Sequence, residues 1–336
     1  MSLDPVHQLA FDVQARPKLF LCLLGSGVSR AAGVPTGWEI AVDLLHKVAE
    51  ARGKRVEGDP EAWCRSHLGH ELDYAALMEA VAPVQAQQSE RLRQYFLDRD
   101  EVDAGERLKP PTRAHQSIAA LNRRGMVRTV VTTNFDRLVE KALEDAGVPP
   151  RNVLATQADF EEHRPFHACD HFVVKLHGDW ASGEVRNSAA DLNQYSVPMD
   201  RLLDRLLDEH GLIICGWSAT YDVALREALR RRTSRHPSYW IDPSELSPKA
   251  AELCAHLGAT HIRARADEFF EQLEISVKAI DDHRMPENLD AQVVVARAKR
   301  LISEKREVEL DDLAHELARQ LARWIFQADE LNFSSS

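Results

Sequence analysis

Asn134 and Asp136, in the run Thr132-Thr133-Asn134-Phe135-Asp136, and His177, in Lys175-Leu176-His177-Gly178, are the side chains best suited to proton and hydrogen-bond chemistry. An imidazole with an ordinary pKa of about 6.5 exchanges protons at neutral pH. Each run directly follows β-favouring residues, Val130-Val131 in the first case and Phe172-Val173-Val174 in the second. Two more segments share this plan: Gly25-Ser26-Gly27 after Leu19 to Leu24, and Gly216-Trp217-Ser218 after Leu212 to Cys215. Small and polar residues at the carboxyl ends of successive strands are where an open parallel sheet collects its ligand, so the four segments fit one nucleotide-binding sheet.

The elements that must position them follow from the pattern. Strands are predicted at 19–24, 127–131, 172–176, 212–215, 238–241 and 260–263, with helices at 138–143, 199–209, 221–231, 248–257 and 267–280 between or after them. Such alternation implies α/β architecture, a doubly wound, Rossmann-like parallel sheet with helices on both faces. A helix is expected to open near Ser29. From Trp38 to about Gly125 the periodicity is helical throughout, which reads as an inserted helical subdomain covering the cleft. Residues 1–282 are thus expected to form the nucleotide-binding domain. Residues 283–336, with Leu310, Leu313, Leu317, Leu321 and Ile325 at helical spacing, form a C-terminal helical interaction or capping segment.

Composition narrows the function class. The 336 residues are 44% hydrophobic, enough for a sizeable core. No apolar run approaches the roughly 20 residues of a membrane helix, and no signal pattern opens the chain, so a cytoplasmic location without membrane attachment is expected. The net charge of -11 argues against charge-driven nucleic-acid binding, and the arginines from Arg226 to Arg235 read as a solvated helix face. Five scattered cysteines read as reduced thiols. His163, His167, Cys169 and His171 could be drawn as metal ligands, but Pro165 interrupts their spacing and they read better as a polar loop.

Taken singly, each motif has a plainer reading. Gly25 and Gly27 let a backbone turn tightly and approach a pyrophosphate, yet Gly33 is too far along for the dehydrogenase fingerprint. Asn134 or Asp136 could cap the following helix, and His177 could be a satisfied strand-end residue. Asp242, after the strand ending at Ile241, suits an adenosine ribose hydroxyl or a turn before Pro243.

Taken in order, the segments resemble sirtuins. Gly25, Gly27, Ser29, Ala32, Gly33 and Pro35 fall in register with the family's first nucleotide motif, with Ser26 inside it. Thr133, Asn134, Phe135 and Asp136 resemble its T-Q-N-I-D motif, His177-Gly178 its catalytic H-G, Gly216 and Ser218 its ribose-contacting G-x-S, and Ala266-Asp267 its closing A-D. The resemblance implies that NAD is bound as substrate and that Asn134 orders a water and the nicotinamide ribose. It further implies that Asp136 grips the carboxamide and His177 acts as base toward a ribose hydroxyl or a water. Breaking the N-glycosidic bond creates an oxocarbenium-like centre, so positioning and charge complementarity carry the catalysis.

The departures are equally informative. Deacylating sirtuins carry a four-cysteine zinc module after the H-G, whereas Asp179 to His210 contains no cysteine, so no zinc is expected there. Thr36-Gly37-Trp38 stands where deacylases place D-F-R. The chain therefore resembles the zinc-less sirtuin-like branch of bacterial antiviral systems. That resemblance implies an NAD glycohydrolase releasing nicotinamide and ADP-ribose, held inactive until triggered. A homo-oligomer, or a sensor or ATPase protein partner engaging the C-terminal helices, is expected with it. The rival readings are an NAD- or ADP-ribose-sensing module without catalysis, and an NAD-dependent deacylase or ADP-ribosyl transferase.

Overall fold

Unbroken apolar runs at β1 (Phe20–Leu24) and β9 (Gly211–Cys215) are buried at every position, as required of strands covered on both faces. They lie side by side at the centre of a seven-stranded sheet of order β11-β10-β9-β1-β4-β6-β5. The remaining strands are β4 (Thr129–Thr132), β5 (Val153–Leu154), β6 (Phe172–Lys175), β10 (Ser238–Ile241) and β11 (Thr260–Ile262), and every pairing in this sheet is parallel. The computed structural model describes residues 3–98, 107–162, 171–186, 188–283, 291–303, 306 and 309–315.

The helices that follow the strands are α7 (Leu138–Asp145), α8 (Gln157–Glu162), α10 (Val197–Glu209), α11 (Val223–Arg231), α12 (Pro248–His256) and α13 (Ala266–His283). Alternate strand residues serve one face. Leu21, Leu23, Val131, Val174, Leu212, Ile214 and Trp240 join Leu203, Leu206, Leu225, Leu229 and Leu253 of α10, α11 and α12 in one buried cluster. The architecture is the doubly wound, Rossmann-like sheet expected. From β1 the sheet extends in space through β4 and β6 to the β5 edge on one side, and the later strands β9, β10 and β11 add on the other side of β1. The order therefore reverses at β1 and β9, and a crevice opens beyond their carboxyl ends.

Between β1 and β4 lie α2 (Gly37–Ala51), α3 (Pro60–Leu68), α4 (Tyr74–Val81), α5 (Gln85–Phe96) and α6 (Arg113–Arg123), with a short antiparallel pair, β2 (Leu97–Asp98) and β3 (Arg107–Leu108). Helices α2 to α5 share a second cluster around Ile40, Leu44, Leu45, Trp63, Leu77 and Met78. The N-terminal α1 (Pro5–Ala15), the hairpin of β7 (Gly178–Asp179) and β8 (Glu184–Val185), and α9 (Ala189–Asn193) complete a compact unit over residues 1–278. A second unit covers residues 279–336; in it α14 (Ala291–Ser303) and a helical segment at 309–315 are described, with Leu301 and Leu313 buried. Leu317, Leu321 and Ile325 of the expected stripe lie outside the described residues.

Two local expectations need correction. The helix expected to open near Ser29 is a 3-10 helix that begins earlier, at Ser26, and ends at Ala32. It closes at Gly33, whose φ of 73° is the left-handed conformation that glycine adopts without strain. Within the arginine run, Arg230 and Arg231 are surface ion pairs, but Arg226 is buried and donates from Nη1 to the carbonyls of Ala219 and Thr220, at 2.8 and 2.9 Å. Among the described residues no helix is long and apolar enough to cross a membrane. Cys22, Cys64, Cys215 and Cys254 are buried free thiols. His171 is buried with Nε2 2.8 Å from the Pro149 carbonyl, while His163, His167 and Cys169 lie outside the described residues.

Candidate active site at the strand ends

A cavity of about 1370 Å³ opens at the carboxyl ends of the central strands, larger than the roughly 300–1,000 Å³ of most small-molecule pockets and sufficient for an extended ligand. Ser26, Gly27 and Pro35 line it from the β1 turn, and Thr133, Asn134, Phe135 and Asp136 from the end of β4. His177 enters after β6, Gly216 and Ser218 after β9, and Asp242 after β10. The inserted helices contribute Trp38, Ile40, Tyr74 and Phe96. Gly25, Ser29 and Gly33 are outside the lining and act on the residues that form it.

The role of the glycines is set by strand-end packing. A Cβ on Gly25 would stand 2.4 Å from the Gly216 carbonyl oxygen, and one on Gly27 would stand 2.8 Å from Gly216 Cα. The Gly25 and Gly27 amides are also occupied, donating to the carbonyls of Cys215 and Gly216 at 2.9 Å each. These glycines therefore bring the β1 turn against the β9 turn, and their own amides are bonded within the protein. Gly25→Ala is expected to destabilise the 1–278 unit by about 1–3 kcal/mol or more, because only backbone can move aside. Urea denaturation checks this, with Gly37→Ala, where nothing lies within 4 Å, as the control expected to be neutral or stabilising.

Ser29 is fully buried and organises the β4 turn. Its hydroxyl donates to Asp136 Oδ2 at 2.8 Å and accepts from Asn134 Nδ2 at 3.1 Å. His115 of α6 faces the same hydroxyl with Nε2 at 3.5 Å, while its Nδ1 accepts from the Thr112 amide at 3.2 Å. Burial holds the His115 pKa below the ordinary imidazole range, against the pull of Asp136 and Asp267, so the ring is neutral. Asp136 uses its other oxygen to accept from the Leu138 amide at 3.1 Å, starting α7. Its carboxylate therefore serves the turn itself, whatever else it meets in the cavity.

With Nδ2 committed to Ser29, the orientation of the Asn134 amide is fixed. Its Oδ1 is buried and accepts no hydrogen bond among the described residues. A buried acceptor without a donor costs about 1–3 kcal/mol, so this atom calls for a ligand or water donor.

Beneath the turn, Lys175 is fully buried. Its ammonium donates to the Asp136 carbonyl at 2.6 Å, to Glu140 Oε1 at 2.9 Å and to Asp179 Oδ2 at 3.1 Å. Burial alone would lower its pKa, but the carboxylates of Glu140, Asp179 and Asp136 outweigh that and raise it, so the ammonium persists. This clamp joins the β4 turn carrying Asn134 to the β6 end carrying His177. The rings of Phe135 and His177 are accordingly 6.0 Å apart between centroids.

At the β9 end, the loop to α11 is shaped by Ala219, a buried non-glycine residue at φ 57°, held through its carbonyl by Arg226. The loop delivers Asp222 to within 2.7 Å of His177 Nε2. Asp242 is among the residues lining the cavity, and its Oδ1 accepts from the Ser244 amide at 2.8 Å, the turn contact expected before Pro243. Asp222 closes the segment Gly216-Trp217-Ser218-Ala219-Thr220-Tyr221-Asp222, which sequence reasoning singled out, whereas two of the supporting partners were not found. Tyr195, which bonds Asp222 at 2.5 Å, and His115 carry no local signal.

Residues 128–263 match the model of the SIR2-like domain. No curated protein matches the chain. Among solved structures, a Sir2 homologue variant in complex with ADP-ribose is 19% identical, with 84% of this chain and 100% of that chain covered and a TM-score of 0.49. A Sir2 homologue in complex with NAD is also 19% identical, covering 83% of this chain and 95% of that one at a TM-score of 0.41.

Proposed function

We propose that this chain, which carries a SIR2-like domain over residues 128–263, hydrolyses NAD to nicotinamide and ADP-ribose without zinc. The observation that carries the reading is a single cavity lined by both Asn134, with a buried amide oxygen lacking a donor, and His177, held by a carboxylate. NAD laid across the strand ends would place its adenosine ribose by Asp242, where a carboxylate accepts from ribose hydroxyls. Its nicotinamide ribose would lie between Asn134 and His177, and a hydroxyl or ordered water there would satisfy Asn134 Oδ1. As the glycosidic bond breaks, positive charge grows on the ribose, and Asp136 and Asp222 keep the surroundings electronegative. Water then attacks, and the net reaction consumes NAD and water to give nicotinamide, ADP-ribose and a proton.

The missing four-cysteine module and the altered Thr36-Gly37-Trp38 segment favour water over acyl-lysine as acceptor. In the cell the proposed role is a regulated NAD-depleting effector of bacterial antiviral defence, acting in the cytoplasm. Its activation would depend on a homo-oligomer or a sensor or ATPase partner bound through the 283–336 segment.

Incubation of the purified chain with NAD, with and without an acyl-lysine peptide, tests the proposal. Chromatography is expected to show equal nicotinamide release in both, accompanied by ADP-ribose. Release that requires the peptide would assign the site to acyl transfer. Tight NAD binding by calorimetry without release in any assembled state would assign it to sensing.

A further inference from the structure

His177 is held from one side by a partner set drawn from two other elements. Asp222 caps α11, its Oδ1 accepting from the Leu225 amide at 2.8 Å, and it is almost fully buried. Its Oδ2 meets both Tyr195 Oη at 2.5 Å and His177 Nε2 at 2.7 Å. A carboxylate only accepts hydrogen bonds. Tyr195 keeps its proton, since burial and the adjoining Asp222 charge hold its pKa well above the usual phenol range. Both bonds therefore run toward Asp222, one from the tyrosine O–H and one from Nε2–H.

It follows that Nε2 carries a hydrogen whether the ring is neutral or charged, and Nδ1 is the nitrogen whose proton comes and goes. Nδ1 has no hydrogen-bond partner among the described residues, and His177 lines the cavity with its side chain 12% exposed. The geometry points to Nδ1 as the proton-accepting atom of His177, with Asp222 and Tyr195 as positioning residues that fix the ring and its tautomer. This rests on the reading of the cavity as an NAD-cleaving site. In that reaction the bond from ribose C1′ to the nicotinamide nitrogen breaks and its electron pair leaves with nicotinamide. A bond from water oxygen to C1′ forms, and the proton given up by that water passes to Nδ1 and then to solvent. The logic is that of any imidazole base whose second nitrogen is tied to a carboxylate.

Two variants test it without dismantling the fold. Asparagine caps helices as well as aspartate, so Asp222→Asn retains the bond to Leu225 while its amide can donate to Nε2 and favour the other tautomer. Tyr195→Phe removes one hydroxyl. In full-length protein labelled with nitrogen-15 at histidine, at a pH above the imidazole range, His177 is expected to show a protonated Nε2 and a bare Nδ1. Asp222→Asn is expected to move hydrogen onto Nδ1. A wild-type ring protonated at Nδ1, or an unchanged tautomer balance in Asp222→Asn, would overturn the inference.

In turnover, Asp222→Asn is expected to lower kcat for nicotinamide release by about 10²–10⁴-fold with KM nearly unchanged. Tyr195→Phe is expected to lower it about tenfold, the equivalent of one hydrogen bond. Unchanged kcat in Asp222→Asn contradicts the assignment. The tautomer measurement needs no NAD, so a wild-type chain that releases no nicotinamide would remove the proposed reaction while the spectra still decide the geometry of His177.

Discussion

Lys175→Met is expected to lower the unfolding free energy of the 1–278 unit by about 3–5 kcal/mol, the range for removing one member of a buried charge cluster. The effect is large because the ammonium is fully buried and satisfies Glu140, Asp179 and the Asp136 carbonyl together. Methionine fills similar space but leaves two buried carboxylates facing each other. Urea denaturation at pH 7 measures the loss, and Lys175→Met combined with Glu140→Gln is expected to recover part of it.

The pH dependence has a defined sign. Lys175 has a folded pKa raised above its unfolded value of about 10.4, so its contribution is complete below that pH and is lost as pH rises through the folded value. Glu140 has a pKa raised by burial and by repulsion from Asp179, even though Lys175 opposes the shift. A raised carboxyl favours the folded state below its unfolded pKa of about 4.3 and loses that advantage as pH rises through its folded value. The deficit of Lys175→Met is therefore expected to be smaller near pH 4 than at pH 7. An equal deficit at both would show that the carboxylates are not its source.

The second large effect is on catalysis. Asn134→Ala is expected to reduce nicotinamide release by about 10²–10³-fold, the loss typical of removing one preorganised polar group at a developing charge. His177→Ala is expected to reduce it by about 10²–10⁴-fold, the usual contribution of a positioned acid or base. Stability should move the other way or not at all in the first variant. Alanine gives up the 3.1 Å bond to Ser29 but also removes the amide oxygen that has no donor, so the two terms nearly offset. A variant that is inactive and equally stable identifies Asn134 as retained for chemistry. One that loses activity only through unfolding, seen as a lowered Tm, identifies it as a structural residue.

The strand ends were legible because β1, β4, β6, β9 and β10 are buried runs of β-favouring residues closed by glycine or polar residues, a pattern local to each segment. The reversal of strand order then follows from the alternation of strands and helices. β5 was not legible, since Val153–Leu154 is a two-residue edge strand with no periodicity of its own. The helix after β1 was legible, but its start at Ser26 and its 3-10 type were not, because Gly25 and Gly27 pack against Gly216, a contact distant in sequence.

The same distinction holds at the site. Asn134, Asp136 and His177 were found from local order. Their supports were not, because Tyr195 lies in the connection before α10 and His115 in an inserted helix, and tertiary packing alone brings them to Asp222 and Ser29. Arg226 was misread as solvated because a charge run on an amphipathic helix is usually exposed, and only the Ala219 loop gives it a buried partner.

A crystal structure of Asn134→Ala with NAD, the slowed variant preserving the substrate, tests the central claim most directly. The expected map shows NAD along the carboxyl ends of the central strands, its adenosine ribose at Asp242 and its nicotinamide ribose within hydrogen-bond distance of His177 Nδ1. NAD bound with its glycosidic bond away from His177, or absent from this cavity at saturating concentration, would contradict the claim.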